Sequence, residues 1–287
     1  MNIREILIEQ HNGDQKQIDV IFSSAKRLLV EAPAGCGKTT TMVSRVAYLI
    51  SQRAIPVNKK ILALTFSVNA AYKMKKDIYE KLPALGLDES SGPQNLNKQM
   101  MITNYHGLAR RILKKYGYLL HSTLSEIEDL DFVDDSARSV ERVLNEKSII
   151  LTGDEKQRIV SFSNSVKSHD ENSLKRDFEV YNHIIIDKFL PCGCLSFNSY
   201  LSLVIELLDR NVTLRKFFQK LFPMIIIDEF QDTNILSLQL IQRLVNENTQ
   251  LLFMGDPLQR IYGFIGAIPN LMDSACTIFK MEKIELD

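Results

Sequence analysis

Short, wholly apolar runs alternate with longer amphipathic stretches up to about residue 116, and again beyond residue 223. Leu28-Leu29-Val30, Ile61 to Phe66, Met100 to Thr103, Met224 to Asp228 and Leu251 to Met254 read as buried strands. Strands of this kind, apolar at successive positions, belong in a parallel sheet covered on both faces. Between them apolar residues recur at helical spacing: Met42, Val43, Val46, Ala47, Leu49 and Ile50; then Ala70, Ala71, Met74, Ile78 and Leu82; then Leu236, Leu240, Ile241 and Leu244. Leu108 to Tyr116 is a further helix, rich in Arg and Lys. Repeated strand-then-helix units predict an α/β fold with a parallel sheet and with function at the carboxyl ends of its strands. Residues 3–24 predict two helical pieces broken at Asn12-Gly13, with Asp14 capping the second. Residues 83–99 have the Pro, Gly and Ser density of a loop.

The rhythm breaks over residues 117–223. An acidic piece, 125–136, leads into helical stripes such as Leu201, Val204, Ile205, Leu207 and Leu208, and Phe217, Phe218, Leu221 and Phe222. This segment predicts a mostly helical insertion beside the sheet, its stripes serving as core packing. The heptapeptide HIIIDKF (183–189) mimics MIIIDEF (224–230), but Lys188 replaces the second acid and no Gln-Asp-Thr follows, so Asp187 reads as structural.

Chemistry concentrates where the predicted strands end. EAPAGCGKT (Glu31 to Thr39) joins the first strand to a helix. Gly35 and Gly37 let the backbone turn its N–H groups toward phosphate oxygens, and the helix adds its positive N-terminal end. Lys38 is placed to reach the β- and γ-phosphates, and the Thr39 hydroxyl to ligate Mg²⁺. The generic pattern G-x-x-x-x-G-K-[ST] has Ala32 at its first position, which leaves the Gly-Lys-Thr turn intact. Ahead of the first strand, Gln17 would lie near the base end of a nucleotide, where a side-chain amide both donates and accepts. Asp228 closes a buried strand, the place of a Mg²⁺-holding acid, and Glu229 beside it is a candidate to orient and deprotonate the attacking water. Strand alternation sends adjacent residues to opposite faces, so both serve one site only if the strand ends there. Gln259 follows the next strand and could touch the γ-phosphate or the lytic water. The loop beyond it carries Tyr262 and Phe264 around Gly263, a pair suited either to stacking on unpaired bases or to anchoring the loop in the core. Phe66 and the Tyr105-His106 pair also sit at strand ends.

Composition adds two constraints. The 287 residues carry 35 basic and 35 acidic side chains, unevenly spread: residues 1–120 hold 18 Lys/Arg against 9 Asp/Glu. A basic amino-terminal part is compatible with a polyanionic partner, and equally with solvated helix faces. The four cysteines form no disulfide framework, one lies within the phosphate loop, and Cys192-Gly193-Cys194 has no second pair to make a zinc site. No apolar run approaches membrane-spanning length and MNIREILIEQ has no signal-peptide pattern, so a cytoplasmic protein with no membrane partner is expected.

Together these stretches resemble the UvrD/Rep/PcrA group of superfamily 1 DNA helicases. DQKQIDVI resembles the Q motif and EAPAGCGKT the P-loop, where alanine at the first position is usual. ILALTFSVNAAYKM resembles motif Ia, and TNYHGLA the next DNA-contacting motif. IIIDEFQDTN resembles motif II, and MGDPLQRIYGFIGA motif III. The resemblance spans about residues 10–268. It implies a RecA-like P-loop NTPase domain from residues 1–116 and 224–287, with 117–223 as the helical subdomain inserted into it. It further implies ATP and Mg²⁺ as cofactors, with Gln17 and the loop Ala32, Pro33, Ala34, Gly35, Cys36, Gly37, Lys38, Thr39 and Thr40 around the nucleotide. Arg45 matches a position near the nucleotide. Thr39 and Asp228 correspond to Mg²⁺ ligands, Glu229 to the catalytic base, and Gln259 to the residue coupling ATP to DNA. Phe66, His106, Tyr262 and Phe264 match DNA-facing positions. The implied activity is ATP-driven 3′-to-5′ movement on single-stranded DNA, or at a single-strand/duplex junction, with unwinding.

Two departures alter that expectation. Val68-Asn69 stands where motif Ia has Asn-Lys, and Phe264-Ile265 where motif III has Trp-Arg, which removes two basic contacts. Motif IV would begin near Ile284 to Asp287, so the second RecA-like domain and its ATP-facing arginines lie outside these motifs. Arginines of that kind contribute roughly 10³–10⁵ in rate. By itself the chain is expected to bind ATP–Mg²⁺, hydrolyse it feebly and not unwind DNA. An alternative is an ATP- and DNA-binding subunit that a partner chain completes; another kind of P-loop enzyme, such as a kinase, would need no DNA-facing series.

Overall fold

The computed structural model describes residues 2–52, 54–56, 58–81, 99–259 and 266–287. The predicted loop over 83–99 falls almost wholly outside them, as do Tyr262 and Phe264. Two short helices open the chain, α1 (Ile3–Gln10) and α2 (Gln15–Phe22). Asn12 and Gly13 break them with φ of 50° and 75°, and Asp14 accepts the Gln17 N–H at 3.1 Å as the cap of α2. Strand–helix units follow: β1 (Arg27–Glu31) and α3 (Lys38–Ser51), β2 (Ile61–Thr65) and α4 (Val68–Lys81), β3 (Met100–Asn104) and α5 (Tyr105–Tyr116).

The next segment contains β4 (Asp131–Val133), α6 (Ala137–Glu146), α7 (Gly153–Ser168), α8 (Glu171–Ile184), β5 (Cys194–Ser196), α9 (Phe197–Arg210) and α10 (Val212–Leu221). The chain then returns to the sheet with β6 (Met224–Ile227), α11 (Ile235–Leu244), β7 (Gln250–Gly255), α12 (Leu271–Phe279) and β8 (Glu282–Glu285).

Six strands pair in the order β3-β2-β6-β7-β1-β8, every pair parallel. Alternate residues of the strands feed two separate cores. Leu29, Leu62, Leu64, Ile225, Ile227, Leu251 and Phe253 join one with α5, α9, α11 and α12. Leu28, Val30, Ile61, Ala63, Ile226, Leu252 and Met254 join the other with α1 to α4. Both faces are therefore covered, which explains why these strands read as continuous apolar runs. At about 1.5–3 kcal/mol per fully buried aliphatic side chain, this coverage is the main stabilising term of the sheet. Helix α9 lies against both α5 and α11, so the inserted segment shares its core with one face of the sheet.

Within that segment two details were not predicted. Part of the acidic stretch forms β4, with Asp131 and Phe132 exposed and Val133 buried, and pairs in parallel with β5. Asp135 just beyond it is buried, its carboxylate accepting from the Tyr181 hydroxyl at 2.9 Å and from the Asn198 N–H at 2.8 Å. The HIIIDKF sequence is helical, ending α8 and continuing as a π-helical turn over Ile185–Phe189. Tyr181, Ile185 and Phe189 are buried at four-residue spacing, whereas Met224 to Ile227 are all buried in a strand covered on both faces. Among the described residues no helix is long and apolar enough to cross a membrane.

Candidate functional site

The carboxyl ends of β1, β6 and β7 meet at one edge of the sheet, with β7 between the other two. Beyond β1, Gly35 and Gly37 adopt φ of 89° and 71°, the left-handed conformation that glycine takes without a Cβ clash. Ala32 has no such requirement. It is fully buried, and its N–H continues the ladder to the Gly255 carbonyl at 3.0 Å, so a glycine is not needed there. Pro33, Ala34 and Gly35 are exposed, while Cys36, Gly37, Lys38, Thr39 and Thr40 are half-buried, with α3 starting at Lys38.

Strand β6 ends at Ile227, and Asp228 makes one last ladder bond through its N–H to Leu64 O at 3.0 Å. Glu229 then turns left-handed, with φ of 51°. That turn takes Glu229 out of strand alternation, and its N–H donates to Asp228 Oδ1 at 3.0 Å. Glu229 Oε2 in turn lies 2.9 Å from Lys38 Nζ. A left-handed non-glycine residue is costly, about 1–3 kcal/mol, and here it brings a carboxylate to the phosphate loop.

Burial, with the Glu229 carboxylate as the next cause, pushes the Asp228 carboxyl up to about 6. A divalent cation would relieve that burial. The oxygen donors, the Thr39 hydroxyl and the Asp228 carboxylate, suit Mg²⁺, which takes few protein ligands and completes its shell with phosphate and water. Among the described residues no group of three or more His, Cys, Asp or Glu is placed to hold a metal ion.

Gln231 is a site residue that sequence reasoning missed. Its amide nitrogen donates to Glu229 Oε2 at 2.8 Å, and its carbonyl accepts the Asp256 N–H at 3.1 Å. The same nitrogen reaches the Gln259 backbone carbonyl at 3.5 Å, while the Gln259 side chain is exposed. The Gln-Asp-Thr run and its place in the stretch resembling motif II were the signals for it. Tyr105 and Thr233 join the start of α5 to the same turn through hydroxyls 3.0 Å apart.

Other expected residues take different positions. Gln17 does reach the loop: its Nε2 donates to Cys36 O at 3.3 Å. Arg45 does not extend toward the loop. It is buried, and its guanidinium donates to the carbonyls of Val20 (2.6 Å), Ile21 (3.3 Å), Ser23 (3.2 Å) and Ala25 (3.3 Å) at the end of α2. Phe66 is half-buried just past β2. His106 stacks on Phe197 with centroids 3.8 Å apart, and burial pushes its imidazole down to about 4. Its Nε2 is enclosed without a hydrogen-bond partner, so the ring is covered by the inserted segment instead of lying open at the sheet edge.

A phosphate loop facing an acidic pair across one strand of a parallel sheet, with a helical segment inserted, places the molecule among the RecA-like P-loop nucleotide-binding folds. Within that class the chain matches the UvrD/REP helicase N-terminal domain over residues 13–280, and it belongs to that family. It is 30% identical over 281 residues to a probable DNA helicase II homolog of Mycoplasma pneumoniae, covering 88% of this chain and 36% of that protein. It is 28% identical to DNA helicase II of Haemophilus influenzae, covering 100% of this chain and 39% of the relative. Against ATP-dependent DNA helicase Rep of Escherichia coli the identity is 27%, over 95% of this chain and 40% of the relative. The chain thus spans well under half the length of these relatives.

Proposed function

We propose that this chain is the ATP-binding part of a UvrD-like motor that moves 3′-to-5′ on single-stranded DNA. The observation that carries the reading is the meeting of Lys38, Asp228 and Glu229 at the carboxyl edge of the sheet. In this reading Lys38 and the loop from Ala32 to Thr40 hold the phosphates, and Gln17 lies at the base. Thr39 and Asp228 hold Mg²⁺, and Glu229 takes the proton of the attacking water. Gln231 joins Glu229 to the Asp256–Gln259 turn, giving a route by which hydrolysis reaches the loop carrying Tyr262 and Phe264. Single-stranded DNA, or the single-stranded arm of a junction, is contacted by Phe66 just past β2 and by Tyr262 and Phe264, which lie outside the described residues, while His106, stacked under Phe197, does not face it directly. A second RecA-like domain supplies the arginines that complete the ATPase site, and unwinding depends on it.

The test is ATP hydrolysis by the 287-residue chain, with and without single-stranded DNA, beside Lys38→Ala and Glu229→Gln. The expected result is ATP binding with trace hydrolysis, and no binding in Lys38→Ala. Strong DNA-stimulated hydrolysis that both substitutions abolish would show the site to be complete without a second domain. ATP binding unaffected by Lys38→Ala would overturn the assignment of the loop.

A further inference from the structure

His11 lies outside every motif that the proposed function uses, yet it is buried, 4% exposed, between α1 and α2. Its Nδ1 faces Gln17 Oε1 at hydrogen-bond contact, and its Nε2 lies 2.8 Å from Ser44 Oγ on α3. Gln17 Nε2 continues the chain to the Cys36 carbonyl at 3.3 Å. Four groups from three parts of the fold thus form one hydrogen-bonded line that ends in the phosphate loop.

The line has a direction. A backbone carbonyl only accepts, so the Gln17 amide must present its nitrogen to Cys36 and its oxygen to His11. His11 Nδ1 must therefore carry a proton, and the imidazole fixes Gln17 from the side opposite the loop. Gly37 shows how closely the amide is held: a Cβ there would come within 2.8 Å of Gln17 Nε2. So held, Gln17 keeps one N–H and one oxygen lone pair in reserve. That pair of functions matches the edge of adenine, which presents an amino donor at N6 and an acceptor at N7; guanine presents two acceptors, O6 and N7.

The geometry points to His11, with Ser44 behind it, as a positioning residue that orients Gln17 for adenine and gives the site its preference for ATP over GTP. This rests on the reading of the loop as an ATP site. His11 touches no nucleotide. It acts by preventing the amide from rotating or swinging away from the base.

The experiment measures Kd for ATP, GTP and inorganic tripolyphosphate by calorimetry, on the wild-type chain and on His11→Ala, His11→Asn and Ser44→Ala. Circular dichroism verifies that each is folded. The expected result is a wild-type preference for ATP that falls by roughly tenfold in His11→Ala, the size that one bidentate base contact supplies. Tripolyphosphate affinity stays unchanged. His11→Asn, whose amide can replace the Nδ1 donor, restores most of the preference. Ser44→Ala falls between them and serves where His11→Ala does not fold. An unchanged ATP-to-GTP ratio in folded His11→Ala or Ser44→Ala overturns the proposal. So does an equal loss for ATP and tripolyphosphate, which would make His11 a support of the loop alone. Wild-type binding of tripolyphosphate without base preference overturns it too, but leaves the phosphate site standing. Failure of the wild-type chain to bind ATP and tripolyphosphate removes both readings.

Discussion

Lys38 Nζ and Gln231 Nε2 converge on one oxygen, Glu229 Oε2, at 2.9 and 2.8 Å. The carboxylate proposed to activate water is thereby tied to the lysine proposed to bind phosphate on one side and to the end of β7 on the other. Phosphate and Glu229 compete for the same ammonium. Glu229→Gln removes the negative charge from that competition, so ATP binding is expected to be retained or tightened. Hydrolysis is expected to slow by roughly 10²–10⁴, the contribution of a positioned general base. Nucleotide titration and phosphate release on the same preparation check both halves of this expectation.

Gly255 is where the network leaves no space. A Cβ at this position would lie 2.5 Å from Gln231 Oε1 and 3.0 Å from Met272 Sδ. Gly255→Ala is expected to push the Gln231 amide aside, destabilise the fold by roughly 1–3 kcal/mol and slow hydrolysis through the loss of its bond to Glu229. The double variant Gly255→Ala/Gln231→Ala removes the closest clash, the one with Gln231, and leaves that with Met272, so its destabilisation should fall short of the sum of the single changes. Urea unfolding of the four proteins measures this; full additivity would separate Gly255 from Gln231.

The sign of the Asp228 effect is set by its raised pKa, about 6 against an ordinary 3.8. Between those values the folded state keeps a proton that the unfolded state has released, so stability falls as the pH rises from about 4 to about 6. Above 6 the cost of the buried charge is present in full, at most about 3 kcal/mol. In its proposed role Asp228 would hold Mg²⁺, and the ion would offset that cost only where the carboxylate is ionised. Mg²⁺ is therefore expected to raise Tm more at pH 7.5 than at pH 5. Asp228→Asn should raise Tm in metal-free buffer at pH 7.5 and abolish the response to Mg²⁺. Thermal melts at the two pH values check it, and an equal Mg²⁺ effect in the variant would place the ion elsewhere.

What the sequence showed and what it hid follow from the range of the forces involved. Met224 to Ile227 read as a strand because all four residues are buried, and burial on both faces leaves a local apolar run. Gly35 and Gly37 read as a loop because their positive φ is a local demand. The pairing of Asp228 with Glu229 in one site was only conditional until the left-handed turn at Glu229 met the condition. Strands β4 and β5 were not legible, since each has three residues and its partner lies some sixty positions away. Helix α12 and strand β8 were likewise unassigned; β8 has no fully buried position in its pattern and is held as an edge strand by pairing with β1. His11 gave almost no signal and Gln231 no more than its place in the stretch resembling motif II, because an imidazole or an amide becomes part of a site through contacts that only the fold brings together. His106 was legible as a strand-end residue, but its covering by Phe197, ninety-one positions on, was not.

Arg45 separates a structural role from a nucleotide role most directly. Its guanidinium sits at the carboxyl end of α2, where four carbonyls from Val20 to Ala25 accept its protons and the helix dipole favours a positive charge. Burial lowers its pKa to about 10, so it remains charged at neutral pH. Lysine brings one ammonium on a stem that cannot span the same carbonyls. Arg45→Lys is therefore expected to destabilise the fold by roughly 1–3 kcal/mol, the cost of leaving buried acceptors unsatisfied. The loss should appear as faster amide exchange in α2, whose first turn carries Gln17. ATP affinity, measured well below the melting temperature, should change only a few-fold, because the guanidinium does not reach the phosphate loop. A large loss of ATP affinity with α2 exchange unchanged would instead make Arg45 a direct nucleotide ligand, as the family resemblance implies.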